Sequence, residues 1–233
     1  MIKPIHTLNW PLWVISAVLL PLLVLSPAFG DPLYETRFDG PEGKLPEGWK
    51  ALTDDPSIQT TGKSLRLSRD GSPGTGVART VAFEGKDSSK WTDYVIEATF
   101  FDPKPGITFQ RSGVFARWDG DTVFPLRGYN AYVSGDQFAI ARDLKRGVQP
   151  SEILASAKLD KELNERATYT IRFHLQGSKL RAELLDSAGL PLATVEANDI
   201  SYSQGSPGLQ AYFAIGGRRV ECLHFAVLSD SKN

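Results

Sequence analysis

Thr168-Tyr169-Thr170-Ile171-Arg172-Phe173-His174-Leu175, then Gln176-Gly177-Ser178, then Lys179-Leu180-Arg181-Ala182-Glu183-Leu184 is the stretch that decides the fold. Tyr169, Ile171, Phe173 and Leu175 alternate with Thr168, Thr170, Arg172 and His174, and Leu180, Ala182 and Leu184 alternate with Lys179, Arg181 and Glu183. A period of two places one set on a buried face and the other in water, which is the pattern of a strand covered on one side. The short glycine-containing break between the two runs predicts a hairpin. Residues 192–196 continue the meander.

The same alternation recurs upstream. Tyr94, Ile96, Ala98 and Phe100 share one face, and the run stops before Pro103 and Pro105, which cannot donate to a ladder. Further strands are predicted at 34–38, 64–68, 77–83, 113–118, 129–134, 138–142, 209–215 and 220–228, separated by Gly, Pro, Asp and Ser clusters. Val114-Phe115-Ala116 and Tyr212-Phe213-Ala214-Ile215 are apolar on both faces, as expected of central strands. Only residues 160–166 have a helical composition, enough for one or two turns in a connection, and no parallel strand-helix-strand pattern is present. The expectation is an all-β chain of two antiparallel sheets.

Residues 1–30 differ from the rest: they contain no Asp or Glu, an early Lys3, and an apolar run from Pro11 to Phe29 that ends in Ala28-Phe29-Gly30. Small residues at the two narrow positions and Pro27 before them predict an export signal cleaved after Gly30. A single β-sandwich domain over 31–233 would follow, exported to the periplasm or the medium. Left uncleaved, the run approaches the roughly 20 residues of a membrane anchor. The 26 Lys and Arg against 27 Asp and Glu offer no basic surface, so neither nucleic acid nor anionic lipid is an expected partner. Cys222 is the sole cysteine, so the core must hold the fold without an intrachain disulfide.

Several pieces, in order, resemble a known superfamily. They are Phe38-Asp39-Gly40 with Leu45-Pro46-Glu47-Gly48-Trp49, then Trp91-Thr92-Asp93-Tyr94, then Gly113 to Trp118. Tyr129-Asn130-Ala131-Tyr132, Ala141-Arg142, Ser206-Pro207-Gly208-Leu209 and Phe225-Ala226-Val227 complete the series. The order resembles the concanavalin A-like lectin and glucanase superfamily, especially laminin G-like domains and the domain known in many bacteria as 3-keto-disaccharide hydrolase. That resemblance implies a jelly-roll sandwich, one sheet curved, with ligands, often sugars, on its concave face. Relatives often carry acidic residues just before the closing strand, where this chain has Leu223 and His224, so no calcium site is carried over. No cofactor or metal is expected.

No catalytic motif stands out. Laminarinase-type relatives set two glutamates around an aspartate on one strand face, since a retaining glycosidase needs carboxyl groups about 5 Å apart. This chain has no Glu-x-Asp-x-Glu, and Glu97 has only Val95 and Thr99 at alternate positions. His174 and His224 lack partners at zinc-ligand spacing, Cys222 reads as buried and inert rather than as a nucleophile activated by Glu221 or His224, and the glycine-rich 71–76 reads as a turn.

The candidate ligand site is Arg117, Trp118, Asp119, Tyr129, Tyr132, Arg142 and Tyr212, on runs expected to be adjacent central strands. Aromatic rings cover the apolar faces of a pyranose, and Arg or Asp makes paired hydrogen bonds to its hydroxyls. Arg117 and Trp118 are neighbours on a strand, so they reach one groove only across a bulge. Asp119, Asp121, Phe124 and Arg127 could add a loop rim. Removing Trp118 or Arg142 is then expected to abolish sugar affinity and spare the fold. Three readings stay open: an exported carbohydrate-binding or carbohydrate-associated domain without catalysis, whose partner is a saccharide or cell-envelope glycan; a hydrolase of glycosidic bonds; and an envelope interaction domain without a small ligand.

Overall fold

The structure, a computed structural model, describes residues 30–53, 57–69, 77–102, 110–120, 127–143, 151–160, 163, 166–214 and 216–230. The expected export segment up to residue 29 and the turn at 71–76 lie outside the described residues, as do Asp121 and Phe124. Of the stretch expected to be helical, Asp160, Leu163 and Arg166 are described, and none of them is helical.

Numbered in chain order, the strands form two sheets. One runs β13 (Pro191–Asn198), β12 (Lys179–Leu185), β11 (Ala167–Gln176), β6 (Tyr94–Asp102), β15 (Arg218–Ser229), β4 (Leu65–Arg69) and β3 (Ile58–Thr60), with β1 (Pro32–Thr36) also pairing β15. The other runs β10 (Ser151–Lys158), β9 (Gln137–Asp143), β8 (Gly128–Ser134), β7 (Arg111–Trp118), β14 (Ser206–Phe213), β5 (Val77–Phe83) and β2 (Trp49–Ala51). The molecule is an all-β, two-sheet antiparallel sandwich, as the period-two runs predict, and of the jelly-roll type that the resemblance implies.

The predicted hairpin is β11–β12, closed between Gln176 and Lys179, with Gly177 at φ 54°, a left-handed conformation that glycine adopts without strain. Tyr169, Ile171, Phe173 and Leu175 are fully or almost fully buried. They face Val114, Ala131, Ile140 and Phe213 of the other sheet in one apolar layer. The doubly apolar runs of β7 and β14 do lie side by side, with β7 at the middle of its sheet.

Along β15 the inward positions are Val220 and Cys222, then Phe225 and Val227, a change of phase. A register shift against β6 between Cys222 and His224 accounts for it: one extra residue flips the pleat, so both halves of the strand present apolar side chains to the core. Trp49 lies edge-on to Phe38 at 5.4 Å and to Phe225 at 4.9 Å, and its Nε1 donates to Tyr34 Oη at 2.8 Å. The Phe38 and Trp49 pieces of the opening motif therefore pack together as core.

Three strands carry no sequence signal. β2 and β3 are three residues each. β10 (Ser-Glu-Ile-Leu-Ala-Ser-Ala-Lys) is an edge strand in which Leu154, Ala155 and Ala157 are only partly buried against the core, and a register shift between Ile153 and Ala155 interrupts its alternation.

Candidate functional site

A groove of 780 Å³ lies on the outer face of the seven-stranded sheet. Its floor follows from strand alternation. Leu209, Ala211 and Phe213 of β14 point into the core, so Gln210 and Tyr212 point out; Ala131 and Val133 of β8 point in, so Asn130, Tyr132 and Ser134 point out. On β7 the outward residues are Arg111 and Gly113, opposite Ser134 and Tyr132. Asp143, Ser151, Asp136, Gln137 and Lys158 complete the rim.

Gly113 is needed here. A Cβ at that position would lie 2.1 Å from Ala131 O and 2.7 Å from Tyr132 Cα, both fixed backbone atoms. Its absence lets Tyr132 settle on the sheet. The Arg111 guanidinium then lies over the Tyr132 ring, 4.8 Å from its centroid, a cation–π contact that fixes its direction. Burial is the main influence raising the Tyr132 hydroxyl pKa, against the pull of Arg111.

At one end of the groove Asp143 is buried, and Ser151 Oγ donates to its Oδ1 at 2.6 Å. Burial raises its carboxyl pKa, while hydrogen bonds from Ser151 and Asn130 and the charge of Arg111 act the other way. Asn130 is 1% exposed, and its Oδ1 has no hydrogen-bond partner among the described residues, which is uncommon for a buried acceptor. At the other end Lys158 pairs with Asp136 at 3.3 Å.

Of the residues expected to form the site, Tyr132 and Tyr212 lie in this groove; the others do not join them. A bulge does separate Arg117 from Trp118, because Ser206 pairs with Trp118 while Gly208 pairs with Phe115, leaving Ala116 and Arg117 opposite Pro207. Its effect is to exchange their faces: unbroken alternation after Ala116 would put Arg117 outside and Trp118 inside, and the extra residue reverses the two. Trp118 lies on the outer face, 3% exposed, in a small cluster with Leu52, Ala82 and Phe115. Arg117, at φ 52°, turns into the interior. There its guanidinium donates twice to Thr92 O, at 3.0 and 2.8 Å, once each to Gly177 O and Tyr202 O at 2.8 and 2.9 Å, and weakly to Asp93. All five N–H donors are spent on the protein itself.

Tyr129 is fully buried with its ring in the core. Its hydroxyl donates to Asp199, and burial together with that carboxylate pushes its pKa up to about 12. Arg142 bridges Asp199 and Glu152. Asp119 pairs with Arg127 at 3.0 Å in the loop after β7.

The groove residues missed in the sequence, Arg111, Asn130, Asp143 and Gln210, have a simple signal. Stepping by two from Tyr132 reaches Asn130, from Tyr212 reaches Gln210, and from Gly113 reaches Arg111, one turn of the pleat before the expected start of the strand.

The remaining chemical candidates have structural partners. Glu97 pairs with Arg172 at 2.7 Å, and His174 faces Glu183 at 3.5 Å, with burial lowering its pKa. Cys222 is buried and its thiol pKa is raised by burial, while His224 Nε2 is directed to Glu35 at 3.0 Å and Glu221 to Arg66. No group of three or more metal-ligating side chains occurs among the described residues.

No protein-family model matches the sequence, and a search of curated proteins gives no match. Similarity does appear among solved structures. The carbohydrate binding module CBM66 from Bacillus subtilis is 15% identical with a TM-score of 0.56, covering 78% of this chain and 96% of that one. The exoplasmic/lumenal domain of VIP36, solved bound to Ca2+ and Man3GlcNAc, is 11% identical with a TM-score of 0.55, covering 78% and 82%. SCLam, a non-specific endo-beta-1,3(4)-glucanase from family GH16, is 9% identical with a TM-score of 0.59, covering 87% and 93%. The fold is thus the concanavalin A-like jelly roll. Binding modules, a lectin domain and a glucanase share it, so the chemistry must be argued from the groove.

Proposed function

We propose that this chain is an exported carbohydrate-binding or carbohydrate-associated domain, with its ligand in the outer groove of the seven-stranded sheet and no hydrolytic centre of its own. The observation that carries this reading is the groove floor, where Arg111 lies over Tyr132 beside Asn130, Gln210 and Tyr212. Aromatic surface with amide and guanidinium donors suits the alternating apolar faces and hydroxyl rims of a sugar chain. Export rests on the sequence of residues 1–30, with 31–233 as the working domain in the periplasm or medium.

The hydrolase reading is weaker for a geometric reason. The carboxylates lining the groove, among the described residues, are Asp136 and Asp143, at opposite ends of β9. At ~3.3 Å per residue they are separated by roughly 20 Å, against the ~5–9.5 Å that retaining and inverting mechanisms need.

The test is a glycan array probed with the exported protein, with released sugar assayed in the same wells. Binding without turnover is expected. Turnover would replace this reading with the hydrolase, and silence in both assays would favour an interaction domain.

A further inference from the structure

Among the described residues, two polar groups of the groove have no hydrogen-bond partner. Among the described residues the Arg111 guanidinium, with five N–H donors, makes no hydrogen bond and no ion pair; it lies over the Tyr132 ring, and its charge acts on Asp143 only at longer range. The contrast with the other arginines near this sheet is sharp, since Arg117 spends every donor on carbonyls and Asp93, and Arg142 is held by Asp199 and Glu152. The carboxylates of the groove do not claim Arg111 either. Asp143 is engaged by Ser151 and Asn130, and Asp136 by Lys158. Arg111 is therefore the unpaired cation of the groove among the described residues. The second idle group is Asn130 Oδ1, buried in the floor as an acceptor without a donor.

A neutral sugar laid over Arg111 would strip water from a full positive charge and return only hydroxyl contacts, whereas an oxyanion restores the lost solvation with paired, charge-assisted bonds. A guanidinium held over a ring keeps its N–H fork available to receive two oxygens of one group. We infer that the groove takes an acidic saccharide, one whose carboxylate or sulfate is received by Arg111 while a ligand hydroxyl donates to Asn130 Oδ1. This rests on the saccharide reading above and narrows it to a ligand class. The guanidinium lies over Tyr132, two residues along β8 from Asn130, or ~7 Å at the rise of a strand, a span that one sugar residue and its acidic group can bridge.

The test is an array of oligogalacturonate, oligomannuronate and hyaluronan (carboxylate arm), chondroitin sulfate (sulfate arm), and cello-, laminari- and manno-oligosaccharides (neutral arm), probed with the protein recovered from cells expressing the full chain. The acidic arms are expected to carry the binding, and the better of the two identifies the oxyanion. Carboxyl reduction or desulfation of the bound glycan should weaken it at least ~10-fold, and added salt should weaken it further. Arg111→Ala should lose binding to the same extent with an unchanged melting temperature, and Arg111→Lys should recover part of it. Binding confined to the neutral arm, or acidic binding untouched by Arg111→Ala, overturns the acidic class and leaves the saccharide reading standing. Silence in all three arms overturns both.

Discussion

Tyr129 Oη donates to one oxygen of Asp199 at 2.7 Å while Arg142 Nη1 donates to the other at 2.6 Å. Tyr129 and Arg142 pair across β8 and β9, and Asp199 directly follows β13, the edge strand of the opposite sheet. One carboxylate therefore closes the sandwich where its two sheets come together, and it uses two side chains whose types alone suggest a ligand site.

That bridge has a pH signature. Burial works to raise the Asp199 pKa, but the Tyr129 hydroxyl, the Ser201 amide and hydroxyl, and Arg142 outweigh it and hold the carboxyl below its usual value. A carboxylate with a lowered folded pKa contributes stability that is complete above the unfolded value and is lost as pH falls through the folded one. Wild-type stability should therefore fall progressively below about pH 4. Asp199→Asn should be less stable by about 1–2 kcal/mol at neutral pH, with a flatter acid limb. Urea midpoints across the acid range check this; parallel acid limbs in the two proteins would mean that the bridge contributes nothing.

Arg117 should behave as a structural rivet. Replacing it by Met removes the donors from four backbone acceptor contacts in a buried site. A loss of about 3 kcal/mol is expected in urea unfolding. A variant as stable as wild type would show that water can replace the guanidinium there.

Gly113→Ala should damage stability and groove together. The new methyl meets backbone atoms of Ala131 and Tyr132, so β7 and β8 must separate, at a cost of about 1–3 kcal/mol. Because Tyr132 supports Arg111, glycan affinity should fall as well. Loss of stability with full affinity would disconnect the glycine from the site.

The fold was legible because its information is periodic: β11, β12 and β6 alternate cleanly, and a sandwich is what such strands build. The candidate groove was legible only in Tyr132 and Tyr212. Residue type cannot say on which side of a sheet a ring lies, and the one-residue bulge at Arg117 reverses the pleat just where the richest cluster of candidates sits. Arg117, Tyr129 and Arg142 went inward to partners, Thr92, Gly177, Tyr202 and Asp199, that are remote in sequence and only a structure brings near. Arg111 was missed for the opposite reason, standing at the first position of a strand whose apolar signal begins later.

The division of the aromatic candidates gives the most direct mutational contrast. From sequence, Trp118→Ala would remove binding and spare the fold; its burial against Phe115, Leu52 and Ala82 now predicts a stability loss of about 3–5 kcal/mol instead. Tyr212 is partly exposed in the groove, so Tyr212→Ala should keep the melting temperature and weaken glycan binding about fivefold, the worth of one ring on a sugar face. Thermal unfolding and glycan titration of the two variants together decide the matter. If Trp118→Ala melts as wild type and loses binding while Tyr212→Ala binds normally, the ligand lies over Trp118, and the groove above Tyr132 is not where it sits.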